Sequence, residues 1–380
     1  MNGIKEHTDN IIKKMMDASP RQPYYNLVVS IIEKECNSAF NPDDLKIMSV
    51  AEHYAVFNHF KTYSNVFTIA SNPMSHKNNA RFIVLADSLI PMDNADYPRG
   101  VVYNKSANCL EYHPLISKKL RKAFPLFLHY NGIMPRLIIE DNLAFNQDVI
   151  IGRINRIIES SRSFFSAISD INKYLYEATI PFVNKPHLYY LSLEKVATEL
   201  LLSLLESDDE LCREFVLSNF ERTYKALFGV RTCWGNNKGS FLFWHNYKGA
   251  LYPCKLKNDF IESEYLRFSL SRQSIIDYLN NFELIPGGFL SLFMVSILPN
   301  WPTIGGFPQF DFFQKMINYV EQNSDLSIDE NLNNYNWGIH PDICQCLKTG
   351  VNTCSTIYIA ANPVSDLNII DYLKSNRTIL

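Results

Sequence analysis

Between Phe282 and Tyr319 the chain reads FELIPGGFLSLFMVSILPNWPTIGGFPQFDFFQKMINY, and few folds accommodate that order of signals. Pro286-Gly287-Gly288 punctuates its start, an apolar run follows from Phe289 to Leu298, and a Trp-Pro-Thr-Ile segment ends on Gly305-Gly306. Phe310, Phe313, Ile317 and Val320 then recur at three- and four-residue spacing. The pattern predicts a buried helix, a short strand, a glycine turn and an amphipathic helix. A strand that enters a helix through residues without side chains lets a ligand approach backbone N–H groups at the positive end of that helix. Gly305 and Gly306 are therefore candidate substrate-binding residues, beside the plainer reading of a turn made for geometry alone.

Upstream, strand patterns alternate with helical ones. Residues 1 to 40 predict a helical lead-in, broken at Asn41-Pro42. From Leu45 the chain reads LKIMSVAEHYAVFNHF, a short apolar strand running into His53, with His59 six residues further on. Arg81 to Asp87, RFIVLAD, is a continuous apolar run of the kind made by a strand covered on both faces, and it ends on a carboxylate. Such strands predict an α/β fold with a mostly parallel sheet, and open sheets of that kind bind ligands outside the carboxyl ends of their strands. His53, His59 and Asp87 are accordingly the candidate catalytic residues. Imidazoles titrate near neutral pH, and a carboxylate closing an apolar strand is costly unless it faces a polar cleft. The plainer reading of the histidines is two polar residues on a helix flank. The loop after Asp87 gathers Asp93, Asn94, Asp96, Tyr97 and Arg99 between proline and glycine punctuation. Asn94, Tyr97 and Arg99 are candidate substrate-binding residues, since arginine clamps carboxylate or phosphate bidentately; Arg99 could equally hold its own loop through Asp93 or Asp96.

From Val149 the period turns helical. Ile150, Ile154, Ile157, Phe164, Ile168, Ile171 and Leu175 form one stripe, Leu191, Val196, Leu200, Leu201, Leu204 and Leu205 another, and Phe215 to Phe228 a third. This predicts a helical insertion at 149–228 between two halves of one core, 1–148 and 229–380. Phe241 to His245 and Ala250 to Cys254, joined by Asn246-Tyr247-Lys248-Gly249, predict a hairpin. Arg272 to Phe282 predicts a helix. Beyond Gln322 the reading is an exposed connection, a short helix at 341–347, a strand at 356–361 and a last helix at 367–374.

Composition removes several classes of function. The 36 basic and 39 acidic residues are mixed along the chain and leave a net charge of −3, so no basic stripe is available to neutralise phosphates and no nucleic-acid partner is expected. The longest apolar run, Phe289 to Leu298, is too short to cross a bilayer, and the N-terminal MNGIKEHTDNIIKKMM has no apolar core of signal-peptide length. A cytoplasmic protein without a membrane partner is expected, with a homodimer left open. The eight cysteines stand mostly isolated and are expected to be reduced. His340, Cys344, Cys346 and Cys354 imitate zinc-ligand arithmetic, but a C-x-C with one distant partner departs from the two spaced pairs of structural zinc sites. Buried thiols are the preferred reading and no metal is assigned. No Walker loop, GxGxxG, HExxH or GxSxG occurs.

Phe241 to Trp244, Gly249, Leu284 to Pro286, Leu298-Pro299, Ile304-Gly305-Gly306, Gln309 and Phe312-Phe313 together resemble the C-terminal half of the core of the bacillithiol biosynthesis cysteine-adding enzymes, over about a fifth of the chain. The resemblance implies a Rossmann-like core related to class I synthetases and nucleotidylyl transferases, with helical connecting insertions. It further implies a nucleotide, ATP or ADP, as the candidate cofactor and a substrate-binding place for Gln309. The chain departs from the family in lacking its glutamine pair and acid-histidine-acid run, in the wide spacing of His53 and His59, and in being too short after the glycine turn for the family's C-terminal coiled coil. The expected activity is therefore not cysteine addition to a sugar malate. It is a related ligase- or transferase-like condensation, joining an amine- or thiol-bearing, amino-acid-like small molecule to an acyl or electrophilic partner. The alternative is a non-catalytic ligand-binding or scaffold protein that retains the fold.

Overall fold

A computed structural model describes residues 3–57, 66, 69–70, 72–77, 79–90, 100–106, 109–115, 124–127, 147–180, 184–218, 222, 231–232, 235–236, 242–305, 309–329, 332 and 334–335. The chain divides into two compact units, one containing residues 1–16 and 41–190, the other residues 17–40 and 191–336. The expected lead-in is two helices, α1 (Gly3–Asp17) and α2 (Gln22–Cys36). Pro20 and Pro23 explain the break: neither can donate a backbone hydrogen bond, and Pro23 is tolerated only because it stands in the first turn of α2.

In the first unit, β1 (Lys46–Ser49) and β2 (Arg81–Ala86) pair in parallel, in register from Lys46 opposite Arg81 to Ser49 opposite Val84. Every residue of β1 is buried, and so is every residue of β2 after Arg81, which is why Phe82–Ala86 reads as an unbroken apolar run. Arg81 bonds Asp44 at 2.7 Å where the two strands begin. The polar loop's end is a hairpin, β3 (Gly100–Ser106) and β4 (Cys109–Pro114). A side chain on Gly100 would run into the backbone carbonyl of His113, so the close approach of the two strands requires glycine there. Two helices follow, α3 (Gln147–Ser160) and α4 (Phe164–Thr179). The hydroxyl of Ser163 accepts from Ser166 N in a capping box that starts α4, whose buried Phe164, Ile168, Ile171 and Leu175 make the expected stripe.

The expectation of unbroken helical character at 149–228 is corrected by β5 (His187–Ser192), the neighbour of β2 in the sheet order β1-β2-β5. Pro186 forbids a continuing helix, and Leu188, Tyr190 and Ser192 alternate inward with period two. The division by compactness accordingly falls inside β5, not at 148/149 and 228/229, so that α3 and α4 lie in the first unit and the next helix, α5 (Leu193–Glu206), in the second.

In the second unit, β8 (Phe243–Tyr247) and β9 (Ala250–Pro253) form the expected hairpin, following the short pair β6 (Arg231–Thr232) and β7 (Gly235–Asn236). The turn is tighter than the four residues expected: Lys248 and Gly249 alone carry it, with φ of 54° and 80°, and Asn246 Oδ1 accepts from Gly249 N at 3.0 Å. A three-stranded meander then follows: β10 (Lys255–Lys257), β11 (Phe260–Glu262) and β12 (Arg267–Ser269). After α6 (Arg272–Asn280), β13 (Leu284–Pro286) pairs antiparallel with β8. The apolar run is buried throughout, as a helix at Gly288–Leu292 that widens into a π turn at Phe293–Ile297. A second π turn, Glu214–Ser218, meets it through Phe215 and Phe293, whose ring centres are 4.7 Å apart. Then come β14 (Thr303–Ile304) and α7 (Gln309–Asn323), the expected strand and helix, with β15 (Asn334–Tyr335) parallel to β14.

The architecture is thus mixed α/β with parallel strand pairing and flanking helices. Among the described residues no helix is long and apolar enough to cross a membrane. A 3-10 turn is described at Pro125–Phe127; the tail elements expected from 341 onward lie outside the described residues.

Candidate functional site

Because β1 and β2 run the same way, both deliver their following residues to one edge. Pairing persists past the ends of the strands: His53 lies opposite Asp87 in a parallel bridge. Asp87 N donates to Glu52 O at 2.8 Å, and Tyr54 N donates to Asp87 O at 2.9 Å. The Asp87 carboxylate is buried, and its Oδ1 accepts from Leu89 N at 2.8 Å. The structure therefore brings together two of the expected catalytic residues, at the carboxyl end of a parallel pair.

Residues 51–57 form a connection held by distant side chains. Tyr190 Oη donates to His53 O at 2.7 Å and accepts from Ala55 N at 3.3 Å. Asn172 brackets the next turn, Oδ1 accepting from Phe57 N at 2.8 Å and Nδ2 donating to Ala55 O at 2.9 Å. Tyr54 lays its ring on Phe165 and donates to the Phe165 carbonyl at 3.1 Å. Both Tyr190 and Asn172 are buried, so the backbone carrying His53 is fixed from the core side.

Glu52, in the middle of this connection, was not singled out by its sequence. It is 3% exposed. Of the buried carboxylates, Asp44 has Arg81, Glu194 accepts from Ser192 Oγ, and Asp87 has the Leu89 amide; among the described residues the Glu52 carboxylate has neither a cation nor a hydrogen-bond donor. Burial alone pushes its pKa up to about 8, so that near neutral pH it carries a proton. The signal that could have found it is faint: Glu52 is the single acidic residue between Asp44 and Asp87. With an imidazole next to it in the chain and the Asp87 carboxylate across the bridge, this edge holds the groups that general acid–base chemistry requires.

His59, Asn94, Tyr97, Arg99 and Gly306 lie outside the described residues, as do His340, Cys344, Cys346 and Cys354. Gly305 is buried at the end of β14, and Gln309 opens α7, both in the second unit. Among the described residues no group of three His, Cys, Asp or Glu is placed to hold a metal. Cys36, Cys109, Cys212 and Cys254 form no disulfide among the described residues; burial pushes the Cys254 thiol up to about 12 and that of Cys212 higher still, which leaves neither a thiolate nucleophile. No family model matches the chain, and no curated protein matches it.

Proposed function

We propose that the protein is a small-molecule condensing enzyme on a Rossmann-like core, related in kind to the bacillithiol cysteine-adding enzymes, that joins an amine- or thiol-bearing, amino-acid-like substrate to an acyl or electrophilic partner. The observation that carries this reading is the pairing of His53 with Asp87 at the carboxyl edge of β1 and β2, beside a buried acid that lacks a partner among the described residues. Open parallel sheets bind ligands at that edge, and titratable groups with displaced pKa values gather at functional sites. In the proposed reaction His53 accepts the proton that the nucleophile loses as it attacks, and Asp87 opposite orients and stabilises the imidazolium. Arg99 is assigned to an anionic group of a substrate.

The test is thermal shift of the purified chain against ATP, ADP and a panel of amino acids. A ligand present at a hundred times its Kd stabilises the folded state by about 2.7 kcal/mol, a shift of several degrees. Stabilisation by an amino acid or nucleotide, lost on His53→Ala, supports the reading. A protein that shifts with none of them is the non-catalytic scaffold.

A further inference from the structure

We infer that the turn between β11 and β12 is an acid-released lid: it docks on the aromatic face of the β8–β9 hairpin while His245 is neutral, and it lifts when that imidazole takes up a second proton. The device lies wholly in the second unit and stands apart from the condensing-enzyme reading.

Strand register builds the face. His245 and Tyr247 point to one side of β8, and Tyr252 of β9 stands opposite His245. Over them the meander places Tyr265, which is 50% exposed, in the turn that joins β11 to β12. The Tyr265 ring stacks on Tyr247 with centroids 4.6 Å apart and meets Tyr252 in a T-shaped contact at 4.8 Å. A side-chain hydrogen bond fastens the turn to the sheet, between Ser263 Oγ and His245 Nδ1 at 2.7 Å. The base of the meander is held by other means. Ile261 and Phe268 pair across β11 and β12 and are buried, and the Phe268 ring lies 4.3 Å from Tyr278 of α6. The turn can therefore move on a fixed base.

The fastening has a direction. Ser263 N donates to Leu266 O at 2.8 Å, which closes the turn, and Tyr265 N donates to Ser263 Oγ at 3.4 Å. The hydroxyl accepts from that amide and gives its own proton to Nδ1, an assignment that puts the proton of the neutral imidazole on Nε2. The second proton must go to Nδ1, where it meets the hydroxyl hydrogen. Ser263 then has to turn its O–H away, and no other side-chain or backbone acceptor is bonded to it among the described residues.

The charge is costly as well. His245 is 3% exposed, and burial lowers its pKa from the usual 6.5. The titratable groups around the ring are Tyr247 on β8, Tyr252 on β9, Tyr265 with its bonded Glu264 in the turn, and Glu283 ahead of β13. Glu283 favours the imidazolium but does not cancel the effect of burial. Tyr265, bonded to Glu264, is pushed up to about 12 and stays neutral throughout. The stabilisation that a neutral His245 gives the docked turn is thus fully present above pH 6.5 and is lost as pH falls through the lowered value.

The experiment is NMR of the full chain with labelled tyrosine and histidine, titrated from about pH 7.5 to about pH 5. Stacking on Tyr247 shields the Tyr265 ring. The expected result is that its signals move toward those of an unstacked tyrosine on the same titration curve as His245, while methyl signals elsewhere keep their folded positions. His245→Gln should hold the ring shielded at both ends of the range, and Ser263→Ala should release it already at the upper end. A Tyr265 ring that stays shielded while His245 takes up its proton overturns the inference. So does a His245 that titrates at or above 6.5, or a Ser263→Ala protein whose Tyr265 ring is as shielded as that of the wild type at both ends.

Discussion

Replacing Glu52 by glutamine should make this protein more stable, by an amount that grows with pH. In the unfolded chain the carboxyl titrates near its ordinary 4.5, whereas in the folded protein burial holds it at about 8. Between those values the folded state binds a proton that the unfolded state has released, so folding stability falls as pH rises. The contribution is fully present below pH 4.5 and is lost as pH passes through 8, with a slope approaching ~1.4 kcal/mol per pH unit. At pH 7 the neutral acid therefore costs the fold about 3 kcal/mol, and above pH 8 on the order of 5 kcal/mol. Glutamine has nearly the same shape and no charge to lose, and it buries an unbonded polar head just as the protonated acid does, so that cost cancels in the comparison. The assay is urea unfolding of both proteins at pH 5, 6, 7 and 8. The stability of Glu52→Gln should exceed that of the wild type by under ~1 kcal/mol at pH 5, rising to about 3 kcal/mol at pH 7. A difference that stays constant across this range, or a glutamine variant less stable at pH 7, would show that Glu52 is ionised and paired, and the reasoning from burial would fail. A gain in stability from altering a site residue is also what a strained functional site produces.

Three further outcomes follow from the same coordinates. Tyr190→Phe removes the hydroxyl that bonds His53 O at 2.7 Å and Ala55 N at 3.3 Å; it should cost ~1–2 kcal/mol and raise amide exchange at residue 55, and unchanged protection there would refute the bracing role. Arg81→Ala should cost more than Asp44→Ala, about 3 kcal/mol against 1–2, because the Asp44 side chain is 5% exposed and is stranded without its cation, while the Arg81 side chain at 21% can still reach water; equal losses in denaturant unfolding would count against it. Gly100→Ala forces a methyl group into the His113 carbonyl and should destabilise by at least ~2 kcal/mol, or open the β3–β4 hairpin as seen in cross-strand nuclear Overhauser effects; a neutral variant would contradict the close approach.

What could be read from residues alone had local causes. The run Phe82–Ala86 is apolar throughout because both faces of β2 are covered, and Phe289–Leu298 is apolar but for two serines because that helix is buried on every side. Asn246 to Gly249 announces a hairpin because only a small set of residues accepts positive φ, though not how tight the turn is. Less visible were β5, where a six-residue strand sits between helical stripes, and the meander at 255–269, whose three-residue strands are too short to show an alternation. The two π turns leave no mark in sequence, since they keep helical composition and differ only in one backbone bond per turn.

The candidate site divides along the same line. That His53 and Asp87 close two strands was legible, because a strand's end is punctuated by its own residues. That they stand opposite each other depends on the register of β1 against β2, which is settled by contacts between residues 35 positions apart, Lys46 with Arg81 among them. Sequence by itself determined the strands, the helical stripes, the near-neutral charge and the carboxylate at the end of β2, all properties of neighbours in the chain. Only the tertiary structure decided that Glu52 is buried: side chains 115 to 137 residues from their partners hold the backbone that follows it, and burial, which moves a carboxyl's pKa, is a property of what packs against it and not of the residues beside it.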